Sequence, residues 1–195
     1  MDVEALLIVD VQNDFCPGGA LAVKEGDKVV PVLNQYIRDF VRERNPVFAS
    51  RDWHPSKTKH FKKEGGPWPV HCVQYSTGAS FHPELRLPDD TVVISKGTAP
   101  DADGYSAFEG ASAEGKPLTE ILKEQHIRRL FVGGLATDYC VKASCLDAVR
   151  QGLEVVLLSD AVRGVDIQPG DSRKAVEEMQ AQGVQLMTYQ EFCRR

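Results

Sequence analysis

At 195 residues, 42% of them hydrophobic and 26% charged, the chain has the balance of a globular protein able to bury one well-developed core. A formal net charge of −5 with no concentrated basic face argues against a nucleic-acid partner, and no apolar run approaches the ~20 residues that would make the membrane a partner. The N-terminus lacks the basic start of an export signal, and the five cysteines are an odd number without a CxxC pair. Reduced thiols in a cytoplasmic protein are therefore expected.

In chain order, residues 5–10 (Ala-Leu-Leu-Ile-Val-Asp) are apolar on both faces and end in Asp10, the pattern of a central parallel strand. From 27 to about 43, Val30, Leu33, Ile37, Phe40 and Val41 recur at helical spacing, with Asp27 as N-cap. Pro46 precedes a second strand at 47–51. Residues 52–90 are rich in Pro, Gly and His and have no periodicity; loops this long inside a compact domain are usually functional. A third strand is expected at 91–95, then an irregular segment to about 116 and a short helix at 117–125 with Pro117 in its first turn. A strand at 129–132, a helix at 137–151 stopped by Gly152, a strand at 154–159, a helix at 171–182 and a strand at 184–187 complete the series before a short tail.

Strands alternating with helices imply right-handed crossovers. The expected architecture is a single three-layer α/β domain over residues 1–195, with a six-stranded, mostly parallel sheet and helices on both faces. Ligands of such sheets bind beyond the carboxyl ends of the strands. Asp10, Asp52, Lys96 and the segment leading to Cys140 all lie at or just past such ends, so they can meet on one rim.

Cys140 stands at the mouth of a predicted helix, after Gly133-Gly134 and the cap-type pair Thr137-Asp138. Free N–H groups and the dipole of a helix's first turn stabilise a thiolate there, which predicts a lowered pKa. Those N–H groups can also receive the oxyanion formed when a thiolate attacks a carbonyl. Cys145, among Ala143, Leu146 and Val149, reads as core packing. Asp10 and Lys96 each end an apolar run, where a charge is costly without a partner or a task. They could form a buried ion pair alone; beside Cys140 they could also exchange the thiol proton and hold its charge.

Asp52 and His54, followed by His60 and His71 in the same long loop, are carboxylate and imidazole donors suited to Zn²⁺, Mn²⁺ or Fe²⁺, although capping and loop hydrogen bonds use the same residues. Phe15, Trp68 and Tyr105 lie in irregular segments beyond the rim and could flank a small planar ligand or merely anchor loops. His82 and His126 read as turn and surface residues, and Lys57, Lys59, Lys62 and Lys63 as a solvated loop. No phosphate-binding glycine motif is present.

Taken together, Leu7-Ile-Val-Asp-Val-Gln-Asn-Asp-Phe15, Asp52-Trp-His54, His60-Phe, Trp68-Pro-Val-His71-Cys, Lys96-Gly, Tyr105-Ser-Ala-Phe-Glu-Gly110 and Gly134-Leu-Ala-Thr-Asp-Tyr-Cys-Val141 resemble the isochorismatase-like cysteine hydrolases, in family order over most of the chain. Within that family they are similar to the nicotinamidase and pyrazinamidase group, since both the cysteine and the metal loop are present. The resemblance implies the isochorismatase-like hydrolase fold and hydrolysis of nicotinamide, with pyrazinamide, through a thioester on Cys140. It implies Asp10 as base and acid, Lys96 as electrostatic partner, and one divalent metal ion on Asp52, His54 and His71, with His60 a fourth ligand in some members. It also implies a cis peptide between Leu135 and Ala136, which turns the Ala136 N–H toward the oxyanion alongside that of Cys140, and a substrate site of Phe15, Trp68, Tyr105, Ala136 and Tyr139. Tyr139 stands where several members carry another residue. A small-molecule substrate is the expected partner, and homo-oligomerisation is compatible with such a chain. A different small amide as substrate, or a metal- and ligand-binding module without turnover, are the alternative readings.

Overall fold

The computed structural model describes residues 3–195. The elements are β1 (Val3–Val9), α1 (Val29–Arg42), β2 (Val47–Asp52), β3 (Val92–Lys96), α2 (Leu118–Glu124), β4 (Ile127–Leu135), α3 (Lys142–Arg150), β5 (Glu154–Arg163), α4 (Asp171–Ala181), β6 (Gln185–Met187) and α5 (Tyr189–Phe192). All six strands are parallel, in the order β3-β2-β1-β4-β5-β6. The expected sheet is thus present, and it is wholly rather than mostly parallel. This strand order reverses direction between β1 and β4, and the crevice at such a switch point is where doubly wound sheets take their ligands.

Alternation along β1 builds the three layers. Leu6 and Ile8 point into a core shared with Val30, Leu33, Tyr36 and Phe40 of α1. Ala5, Leu7 and Val9 face the opposite core, with Leu118 and Ile121 of α2, Cys145 and Ala148 of α3 and Met179 of α4. Strands buried on both faces have no polar side to display, which is why they read as continuous apolar runs. Cys145 is fully buried in that second core, as its helical neighbours imply.

Several boundaries depart from the sequence reading, among them the end of the strand expected at 154–159, which runs on to Arg163. β4 runs on through Gly133 and Gly134 to Leu135, because those glycines serve close packing and not a turn. Gly134 has φ +125°, and a Cβ there would stand 2.1 Å from the Val9 carbonyl oxygen of the adjacent strand. Residues 137–151 are not one regular helix: a turn of π-helix, Thr137–Val141, precedes α3. Asp27 lies in a 3₁₀ turn ahead of α1 and does not cap it.

The tail contains α5, opened by a reciprocal Thr188–Glu191 capping box. Phe192 sits against Tyr36, Phe40 and Phe131 at ring-centroid distances of 5.1, 5.7 and 5.7 Å. The Arg195 guanidinium lies 4.0 Å from the Phe192 ring centroid and 4.9 Å from that of Phe131. This tail therefore closes one face of the sheet. Phe192→Ala is expected to cost about 3–5 kcal/mol in urea unfolding; a change below about 1 kcal/mol would show that α5 is peripheral to the core.

Candidate active site and metal centre

Asp10 follows β1, Asp52 ends β2, Lys96 ends β3 and Cys140 lies in the π-turn after β4, so four adjacent strands deliver them to one rim. Asp52 and Lys96 are register partners across β2 and β3. The Lys96 ammonium is buried at the centre. It lies 2.8 Å from Asp10 Oδ2, donates to Gly104 O at 2.6 Å, touches Cys140 Sγ at 3.4 Å and makes a close ion pair with Asp52 Oδ1. A carboxylate oxygen of Asp10, one of Asp52 and the Cys140 sulfur all lie within 4.8 Å of one another. Ser50, two residues before Asp52, donates to Asp10 Oδ1 at 2.7 Å.

Electrostatics follow from this burial. Desolvation opposes the Lys96 ammonium, but the facing Asp10 and Asp52 carboxylates outweigh it and hold the amine well above its usual range. Burial raises Asp10, and Lys96 offsets this only in part. For Asp52, burial is outweighed by Lys96 and by hydrogen bonds to His54 and His71, so its carboxyl is held well below the usual range. Cys140 differs from the sequence expectation. Burial, together with Asp10 and Asp52, pushes its thiol well up, and the pull of Lys96 does not compensate. The helix-mouth argument fails because the π-turn carries the thiol into a closed, doubly acidic site.

His54, His60 and His71 each bring a ring nitrogen within 4.8 Å of the others. The Nδ1 atoms are held in place: His54 on Gly97 O at 3.1 Å, His71 on Pro69 O at 2.7 Å and His60 on Asp103 Oδ1 at 3.2 Å. Such outer contacts fix the tautomer that leaves Nε2 free as a ligand. His54 Nε2 and His71 Nε2 stand 3.4 and 3.7 Å from Asp52 Oδ2. His54 Nε2 is buried with no hydrogen-bond partner among the described residues. A buried, unsatisfied nitrogen facing a carboxylate oxygen fits a cation between them. Burial also pushes the His60 ring toward its neutral, ligating form. The four side chains thus form a candidate site for a divalent metal. Gly97 permits it: with φ +62°, a Cβ there would meet His54 Cε1 at 2.4 Å.

Above the cluster, Phe15, Trp68, Tyr105, Ala136, Tyr139, His60 and Cys140 line a cavity of about 400 Å³, counting its open mouth. Trp68 Nε1 donates to the Tyr105 hydroxyl at 2.8 Å, while Tyr139 packs edge-on against Trp68 with centroids 4.9 Å apart. The aromatics therefore form a coupled wall and are not isolated loop anchors. The Leu135–Ala136 peptide is cis, as the resemblance implied, and the Ala136 N–H donates to no group among the described residues.

All twelve residues singled out from sequence converge on this rim. Missed were Leu21, Asp103 and Val165 in the lining, which come from irregular segments without any pattern. Ser50 was legible as the one hydroxyl in an apolar strand. Gln12, whose amide holds the Asp52 backbone N–H and C=O at 2.8 Å each, was legible in the motif after Asp10. Asp138 caps nothing; its carboxylate accepts from the Val165 and Asp166 N–H groups at 2.9 and 2.8 Å, tying a pocket wall to the cysteine turn. His126 is exposed, and so are Lys57, Lys59, Lys62 and Lys63, as their loop composition suggested.

An all-parallel α/β sheet with a buried cysteine, lysine and aspartate beneath a small aromatic pocket defines a hydrolase of small molecules. Residues 4–191 match the family described as Isochorismatase domain, and the chain belongs to that family. It is 44% identical to the nicotinamidase of Escherichia coli (strain K12), covering 96% of each chain. It superposes on the zinc complex of the Pyrococcus horikoshii pyrazinamidase with a TM-score of 0.88 at 47% identity, over 95% of this chain and 99% of that one. The complex of PnC1 from L. infantum with nicotinate gives 0.84 at 36% identity, over 97% and 94%.

Because Cys140 is held as a thiol, its alkylation by iodoacetamide should climb with pH beyond about 9 and show no plateau between about pH 5 and 8. Mass spectrometry of the modified peptide reads this out. A plateau in the acidic range would mean a resting thiolate.

Proposed function

We propose that this chain is an amidohydrolase that converts nicotinamide and water to nicotinate and ammonia, and that it also accepts pyrazinamide. The observation that carries the reading is the contact of one lysine with a thiol, a second carboxylate and the carboxylate of a metal-type cluster, at the floor of a small cavity walled by aromatic side chains. The high identity to nicotinamidases over nearly the whole chain supports it.

In this reading Asp10 takes the Cys140 proton as Sγ attacks the carboxamide carbon, and the N–H groups of Ala136 and Cys140 receive the oxyanion. Asp10 returns the proton to the departing nitrogen, which leaves as ammonia and a thioester on Cys140. Asp10 then draws a proton from water, whose oxygen attacks the thioester; nicotinate departs and the thiol is restored. Lys96 keeps its charge throughout and stabilises each anionic stage. Phe15, Trp68, Tyr105 and Tyr139 hold the ring and exclude water. Asp52, His54, His71 and His60 would hold one divalent ion, of zinc, manganese or iron, and when bound it supplies a Lewis-acidic centre suited to the pyridine nitrogen. The five cysteines, all free, fit a reducing cytoplasmic setting, and no helix among the described residues is long and apolar enough to cross a membrane.

Cys140→Ala should lower ammonia release from nicotinamide by at least about a thousandfold while keeping the metal content of the parent. Asp52→Ala should lose metal and activity together. Undiminished turnover in Cys140→Ala, or full activity in metal-free protein, would overturn the corresponding assignment.

A further inference from the structure

We infer that Asp103 is a positioning residue that holds the His60 ring in the orientation and tautomer that present Nε2 to the metal centre, so one ligand of that centre is governed from the rim of the pocket. The inference rests on the reading of His60 as a metal ligand. It starts from an asymmetry among the three imidazoles. His54 and His71 are oriented by the backbone carbonyls of Gly97 and Pro69, acceptors that do not depend on any side chain. His60 is oriented by a carboxylate whose side chain is 66% exposed.

Everything else about His60 is already fixed. Its N–H donates to Thr58 Oγ1 at 3.2 Å, and its carbonyl accepts from the Trp68 N–H at 3.3 Å. The ring plane is confined between His54, stacked at 4.7 Å, and Tyr105, packed edge-on at 5.5 Å. Within that slot one freedom remains, a half-turn of the ring that exchanges Nδ1 with a carbon and Nε2 with another. The hydrogen bond the ring makes is to Asp103 Oδ1; accepting from Nδ1–H there leaves Nε2 unprotonated and able to ligate with His54 and His71. The Asp103 loop is itself tied to the His60 segment, since Lys59 N–H donates to Pro100 O at 2.9 Å. Asp103 also lines the substrate cavity, so whatever enters the pocket passes the group that sets this ligand.

Affinity for Zn²⁺, measured by competition with a chromogenic chelator, tests this in Asp103→Ala, Asp103→Asn, His60→Ala and the Asp103→Ala/His60→Ala double variant. Asp103→Ala should weaken binding about 10- to 100-fold, the usual effect of removing an outer partner of a ligating histidine. Asp103→Asn retains an acceptor oxygen and should keep most of the affinity. The double variant should bind no more weakly than His60→Ala, because Asp103 acts only through that ring. Substitution with Co²⁺ should show the same visible-band change in Asp103→Ala as in His60→Ala. If His60→Ala weakens binding and Asp103→Ala does not, or if the two losses multiply, Asp103 does not position His60. If His60→Ala binds zinc like the parent, the ligand reading of His60 falls and takes this inference with it.

Discussion

The structure depends on keeping one ammonium group charged in a place where water cannot reach it. The Lys96 ammonium donates to Asp52, the Gly104 carbonyl and the Cys140 sulfur, and it forms an ion pair with Asp10. An isolated buried cation costs far more than a domain's net stability, so each partner is required by the lysine as much as the lysine is by them. Two carboxylates against one ammonium leave a net negative charge in the cluster. Burial raises Asp10 and Cys140 against the pull of Lys96, with the neighbouring carboxylates adding to it, and the net negative charge makes the adjacent histidine group attractive to a cation. The Cys140 thiol and the metal-type cluster are therefore one electrostatic unit, joined through the two oxygens of Asp52: Oδ1 on Lys96, Oδ2 facing His54 and His71.

Sheet topology makes that unit possible. Parallel strands place all carboxyl ends on one rim, and the order β3-β2-β1-β4 sets the four contributing strands side by side. The long segment after β2 has little regular structure, yet it must hold His54, His60 and His71 in place. Polar side chains from the residues after β1 do this. Gln12 binds the backbone of Asp52 and the carbonyl of Ala79, while the Asp14 carboxylate accepts from the N–H groups of Ala20 and Cys72 at 3.2 and 2.7 Å. One short stretch thus anchors both the aromatic wall that begins at Phe15 and the loop that carries His71.

What could be read from sequence was whatever has a local cost. A charge that ends an apolar run is expensive wherever it lies, so Asp10 and Lys96 announced themselves, and strands buried on both faces left apolar runs that located the sheet. The capping box of α5, Thr188 with Glu191, is legible too, although the helix it opens has only four residues. Features set by tertiary approach left no such mark. Gly133-Gly134 looks like a turn by composition and is a strand by packing, since Val9 presses where a Cβ would be. Asp138 has the composition of a cap and instead receives two N–H groups from a segment 27 and 28 residues away. Leu21 and Val165 line the pocket only because the fold brings their loops there.

The same distinction explains the misjudged thiol. A cysteine after a strand, facing free N–H groups, would be acidified if that turn opened to solvent. Here the turn is wound as π-helix, and Cys140 is buried with carboxylate oxygens of Asp10 and Asp52 within 4.8 Å. Local dipole and tertiary burial then act in opposite directions, and burial prevails. A raised thiol beside an ordinary carboxylate would be a poor donor, because the proton would have to move uphill. Asp10 is raised by the same burial, which narrows the gap in proton affinity between the two groups. A smaller gap favours the shuttle proposed above, in which Asp10 takes the proton from sulfur and releases it again to nitrogen. The desolvation that disfavours a resting thiolate thus also raises the carboxylate that the proposed reaction uses as its base.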